Sequence, residues 1–148
     1  MQNLLKTGQL DKHETNAAQV RRMLNSAERS IADAKQVSIS SETRLDAAYR
    51  AITQLSMIAL WANGFRPARS KPGHHQTMIQ SLVHTIELDR NHMLLLETFR
   101  IKRNAIDYAG DDVDEVSVAA CTAAAGDLLD RLTTWLGRNR PELVDDIH

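Results

Sequence analysis

Glu42-Thr43-Arg44-Leu45-Asp46-Ala47-Ala48-Tyr49-Arg50-Ala51-Ile52-Thr53-Gln54-Leu55-Ser56-Met57-Ile58-Ala59-Leu60-Trp61-Ala62-Asn63 runs without a proline or glycine. Leu45, Ala48, Tyr49, Ile52, Leu55, Ser56 and Ala59 recur at the helical period and share one face. Met57, Ile58 and Trp61 make the second half apolar on other faces as well. A helix that is apolar all round is buried, beneath several neighbours or against a second subunit. Gly64 supplies the residue that can turn the chain at its end.

Before this stretch, Val20, Leu24, Ala27, Ile31 and Ala34 form the stripe of an amphipathic helix that begins near Asn16. Ser38 to Ser41 end it and offer caps for the central helix. A short helix is expected over about residues 2–10. On the other side, Phe65 to Gly73 holds Pro67 and Pro72 and reads as a loop. A shorter helix follows, with Ile79, Leu82, Val83 and Ile86 inward. Another spans Asp89 to Ala109 and stops at Gly110. Asp112 and Glu115 resemble a capping box for the last helix, Val113 to Leu136. Its stripe is Cys121, Ala125, Leu128, Leu132 and Trp135. Pro141 lies in a polar tail, residues 138–148, expected to fray. Strand-like alternation is absent, so the sequence predicts an all-α fold. The expected architecture is an antiparallel helical bundle of four main helices plus one or two short ones, in a single domain over residues 1–148.

The composition fits that picture. A chain of 148 residues is one domain's worth and buries roughly 70% of its unfolded surface. Its net charge of −1 excludes a strongly basic nucleic-acid binder of the histone type. Cys121, the one cysteine, forms no intrachain disulfide. No apolar run approaches the ~20 residues that span a bilayer, so no membrane contact is expected. The N-terminus lacks a signal-peptide pattern, which predicts a cytoplasmic protein. Charge is unevenly spread. Residues 61–104 hold seven Lys/Arg against three acids, and residues 105–148 hold three against ten. The basic stretch suits an anionic partner, the acidic one a basic partner, and both also suit solvated helix faces.

The chemistry concentrates in Glu97-Thr98-Phe99-Arg100-Ile101-Lys102-Arg103-Asn104-Ala105-Ile106-Asp107-Tyr108-Ala109-Gly110. On a helix, Arg100, Arg103, Asn104, Asp107 and Tyr108 make one polar seam beside apolar rows. A guanidinium beside a buried face needs a carboxylate or a phosphate. Two readings follow. One is an intrahelical Arg103–Asp107 pair with Tyr108 in the core. The other is an anion-binding seam of Arg100, Lys102 and Arg103.

Arg103-Asn104 followed by Tyr108-Ala109-Gly110 resembles the signature helix of HEPN domains, small helical bundles of prokaryotic toxin–antitoxin and defence modules. Asp46-Ala47-Ala48-Tyr49-Arg50-Ala51 resembles that family's central helix. Ala62-Asn63-Gly64-Phe65-Arg66 and Gly73-His74-His75-Gln76-Thr77 resemble the turn and short helix after it. Asn3-Leu4-Leu5-Lys6-Thr7-Gly8-Gln9-Leu10 resembles a start found in a bacterial branch. The resemblance covers roughly residues 3–136. It implies a HEPN-like fold, a homodimer with facing signature helices, and a cognate antitoxin or nucleotidyltransferase as partner. It implies metal-independent endoribonuclease activity where the motif is complete, with Arg103, Asn104 and a following His as catalytic residues. Here Tyr108 stands where that His is usual, and no His follows until His148. Tyrosine, with a pKa near ~10, moves protons poorly at neutral pH, but it can stack on a base or bond a phosphate.

His74 and His75 follow Gly73 at a helix start, after Arg66, Arg69 and Lys71. Together these residues suit a phosphate-binding corner; equally, one His can pack inward and close the loop. No Cys/His spacing supports a metal, and no cofactor motif is present. The sequence thus predicts a component that engages RNA or a partner protein through an Arg/Asn/Tyr seam, as an atypical or degenerate RNase. The alternative is a non-catalytic, antitoxin-like or regulatory interaction subunit. The surplus apolar surface of Leu55 to Trp61 adds an expectation of homodimerisation.

Overall fold

The computed structural model describes residues 8–68, 73–110 and 112–144. Among them lie five α-helices: α1 (Ala17–Ala34), α2 (Ser41–Ala62), α3 (His74–Thr85), α4 (Arg90–Ala109) and α5 (Glu115–Asn139). Two three-residue strands, β1 (Leu10–Lys12) and β2 (Phe65–Pro67), and a final 3₁₀ turn at Pro141–Leu143 complete the order. The molecule is an all-α helical bundle.

Side-chain caps start four of the helices. Asn16, Ser40, Asp89 and Asp114 accept from the backbone N–H groups of Gln19, Thr43, His92 and Ser117, each satisfying a donor the helix leaves open. The cap of α5 is therefore Asp114, not Asp112. Glu115 faces the other way, to Ser41 and Arg44 of α2 at 2.5 and 2.9 Å. Gly64 and Gly110 turn the chain after α2 and α4 with φ of 90° and 69°, a region costly to residues with a Cβ.

α2 is the central helix. It packs on α1, α5, α3, β2 and α4. Leu55, Ile58, Ala59 and Leu60 are sealed, and Trp61 is 9% exposed. Burying each large side chain of this kind stabilises the fold by about 1.5–3 kcal/mol. The second half of α2 is thus closed by the chain's own elements, and the argument for a dimer from Leu55 to Trp61 falls. Exposed apolar residues lie elsewhere, among them Leu94 and Ile101 on α4, 45% and 57% exposed.

Three other local expectations give way to distant contacts. The helix proposed over residues 2–10 ends in strand instead: β1 pairs antiparallel with β2, Leu10 opposite Pro67 and Lys12 opposite Phe65. Residues 2–7 lie outside the described residues. The same ladder takes the first part of the 65–73 loop, and Leu10 packs with Leu60 and Met78. At the other end the tail is docked through Val144. Leu143 is buried in the main core, and the Arg140 guanidinium donates to the Ala62 carbonyl at the end of α2. One apolar residue and one cation hold a segment whose composition is polar. Among the described residues no helix is long and apolar enough to cross a membrane.

Candidate functional site

Tyr49 organises the site. It lies midway along α2, 2% exposed, on the side where α3 and α4 approach. The Arg103 guanidinium sits over its ring, 5.4 Å from the centroid, within the range of a cation–π contact. The His75 ring meets the same tyrosine, centroids 5.5 Å apart and tilted by 58°. The Tyr49 hydroxyl lies 3.2 Å from His75 Nδ1. So α4 brings a guanidinium and α3 an imidazole to one buried ring on α2.

Two carboxylates steady Arg103. Nε donates to Asp46 Oδ1 at 3.1 Å, and Nη1 lies 3.2 Å from Asp107 Oδ2. Both carboxylates are about half exposed, so these pairs are individually weak and exchangeable. Arg100 differs. Its Nε and Nη2 clasp both oxygens of Glu97, the shortest bond 2.8 Å, and Glu97 is buried. This bidentate pair commits the Arg100 charge within the protein. Arg100 adds to the local field more than it offers a free ligand to an anion.

Electrostatics separate the two titratable groups. Burial pushes the Tyr49 hydroxyl up to about 12, against the opposing pull of Arg100 and Arg103, so it stays protonated. His75 is held below its ordinary value, first by partial burial and then by Arg103, His74 and Arg100. Its imidazole is neutral at pH 7.

On the other side of His75 a cavity of about 390 Å³ opens. His13, Gln19, Trp61, Arg66, His74 and His75 contribute to its lining. The His13 and Trp61 rings stand 5.6 Å apart, and His13 Nε2 lies 3.1 Å from Gln19 Oε1. Arg66 Nε and His74 Nε2 are buried without a hydrogen-bond partner among the described residues. Unpaired buried donors are costly, and an anionic group in the cavity would relieve them. α3 starts here at Gly73 without a side-chain cap.

The structure therefore joins two candidates that the sequence keeps apart, the Arg103 helix and the His74–His75 corner. It also disperses others. Tyr108 is 90% exposed near the end of α4, which overturns its expected place in the core. Five residues of helix turn it about 140° from Arg103, so the two stand at opposite edges of the seam. Asn104 is exposed. Lys102 lies near the start of α5, where the Asp114 carboxyl is lowered first by its hydrogen bonds from Ser117 and then by the Lys102 charge. Arg69 and Lys71 lie outside the described residues. His92 sits in a separate cluster with Asp89, Asp127 and Arg131, and His84 lines a groove between α3 and α4.

Three members of the site escaped the sequence reading of chemistry: Tyr49, Asp46 and Glu97. Asp46 and Tyr49, three residues apart on a helix, carried a faint signal, since that spacing puts an acid beside the ring on one edge. Among the described residues no group of His, Cys, Asp and Glu is arranged to hold a metal ion. No family model, curated protein or solved structure matches this chain.

Proposed function

We propose that this chain is a HEPN-like component of a prokaryotic toxin–antitoxin or defence module, acting in the cytoplasm, that engages single-stranded RNA across Arg103, His75 and the adjoining cavity. The observation that carries this reading is the Arg103 guanidinium seated over the Tyr49 ring with His75 on the same ring. A phosphate can replace the exposed carboxylates on Arg103, since charge-assisted bonds to guanidinium suit both. A cavity holding Trp61, His13 and the buried nitrogens Arg66 Nε and His74 Nε2, which lack a partner among the described residues, suits an unstacked nucleotide, because single-stranded RNA is read by stacking and by hydrogen bonds to splayed bases.

A second reading, a non-catalytic interaction subunit, is favoured by another surface. A groove of about 1010 Å³ between α3 and α4 is lined in part by Val83, Leu94 and Ile101. Exposed apolar side chains in a groove suit a protein contact. On this reading a homodimer, or a contact with a cognate antitoxin or nucleotidyltransferase, would use this groove rather than α2.

Photo-crosslinking tests the first reading. RNA carrying 4-thiouridine should attach to peptides containing His75 or Arg103, or to those lining the cavity. Attachment confined to the α3–α4 groove or to α5 would contradict it.

A further inference from the structure

The motif helix lacks a proton-moving group. Tyr108 points into solvent and away from Arg103, while His75 reaches the Arg103 site from α3. We propose that His75 is the catalytic base of this surface, taking the proton from the attacking 2′-hydroxyl of RNA, and that Tyr49 is the positioning residue behind it. The proposal deepens the RNA reading above and rests on it.

The geometry supplies what such a group needs. His75 is accessible at the surface, whereas the ring that holds it is buried. The Tyr49 hydroxyl can rotate to accept from Nδ1–H, the tautomer in which Nε2 carries the lone pair that takes a proton. A tautomer fixed from behind is the usual arrangement for a working imidazole. Arg103 stands over the same tyrosine ring, and its guanidinium can meet the phosphate next to the attacking 2′-hydroxyl. The charged and titratable groups around His75 are Arg103, Arg100, Glu97 and Asp107 from α4, His74 from its own helix, Asp46 and Tyr49 from α2, and, across the cavity, Arg66 from β2 and His13 after β1. The cations among them oppose a second positive charge, so the imidazole starts neutral and able to accept a proton.

The step balances without a redox partner. His75 Nε2 takes the 2′-hydroxyl proton as O2′ bonds to phosphorus, and the P–O5′ bond breaks. O5′ takes a proton from water, and the imidazolium returns its proton to solvent. The products are a 2′,3′-cyclic phosphate and a 5′-hydroxyl end. Arg103 neutralises the non-bridging oxygens, whose charge grows in the transition state.

The test uses the full chain and a mixed-sequence RNA oligonucleotide labelled at one end. Wild type should cleave it to a cyclic-phosphate product and leave the 2′-deoxy analogue whole. His75→Gln should lose at least a hundredfold in rate, the scale of general-base catalysis, while its helical spectrum and RNA binding persist. Tyr49→Phe should shift the acidic limb of the pH–rate profile, a change that loss of packing alone would not produce. Arg131→Gln, on α5 in the separate cluster with Asp89, His92 and Asp127, should leave the rate intact. Wild type that binds RNA without cleaving it would overturn the role of His75 and leave the RNA reading standing. Wild type that does not bind RNA would overturn both. Full-rate cleavage by His75→Gln, or its loss in Tyr108→Phe, would return the chemistry to other residues.

Discussion

The Tyr49 hydroxyl and His75 Nδ1 lie 3.2 Å apart although 26 positions separate them in the chain. One residue belongs to the central helix and the other to the first turn of a short helix, so the contact reports their packing directly. The His75 titration should report it too. Its midpoint by NMR should fall below 6.5, and Arg103→Gln should raise it by removing a nearby cation. The folded pKa lies below the unfolded one, so the unfolded chain binds more protons between them. The His75 contribution to stability is therefore present above pH 6.5 and lost as pH falls through the folded value. Urea unfolding across that range should show the loss in wild type and a shallower loss in His75→Gln.

Glu97→Gln should destabilise the fold more than any exposed ion-pair variant. Glu97 and Arg100 are 10% and 18% exposed at their side chains, and removing the carboxylate leaves a mostly buried guanidinium without its counter-charge. Breaking a buried pair costs about 3 kcal/mol. Arg131→Gln, which breaks the exposed Asp127 pair, should cost under ~1 kcal/mol. Denaturant midpoints of the two variants check the order.

Asp114→Ala should cost about 1 kcal/mol through the lost cap on α5. Asp112→Ala should stay within about 0.5 kcal/mol of wild type, as surface substitutions do. Equal effects would mean that the helix starts elsewhere.

Cys121 is fully buried, and its thiol is pushed up to about 12 by that burial. Thiolate is the reactive form, so a thiol reagent at pH 8 should leave the native protein unmodified and label it fully in urea. Rapid labelling without denaturant would mean that α5 opens easily.

These contrasts show what was legible in the sequence. The stripes of α1, α2 and α5, the helix starts near Asn16 and Asp89, a cap among Ser38 to Ser41, and the turns at Gly64 and Gly110 follow from spacing and residue chemistry within a few positions. The β1–β2 ladder and the docking of Leu143 depend on partners more than fifty residues away, where local periodicity carries no information. The site divides in the same way. Arg103 and Asp107 announce themselves on one helix, four residues apart. Tyr49 reads as a core residue because its burial and its hydroxyl contact follow from different elements. Tyr108 reads as a seam member from its place eight residues after Arg100 and four after Asn104, but five residues of helix set it and Arg103 at opposite edges of that seam.

The most direct test of the RNA reading is the salt dependence of single-stranded RNA binding by wild type and Arg103→Gln, followed by fluorescence anisotropy. Each phosphate neutralised contributes about 0.7 to the magnitude of the slope of log affinity against log salt for a single strand. Arg103→Gln should bind more weakly at every salt concentration, with a slope shallower by about that amount. Equal affinities and equal slopes, in a variant with unchanged helical content, would contradict the RNA reading.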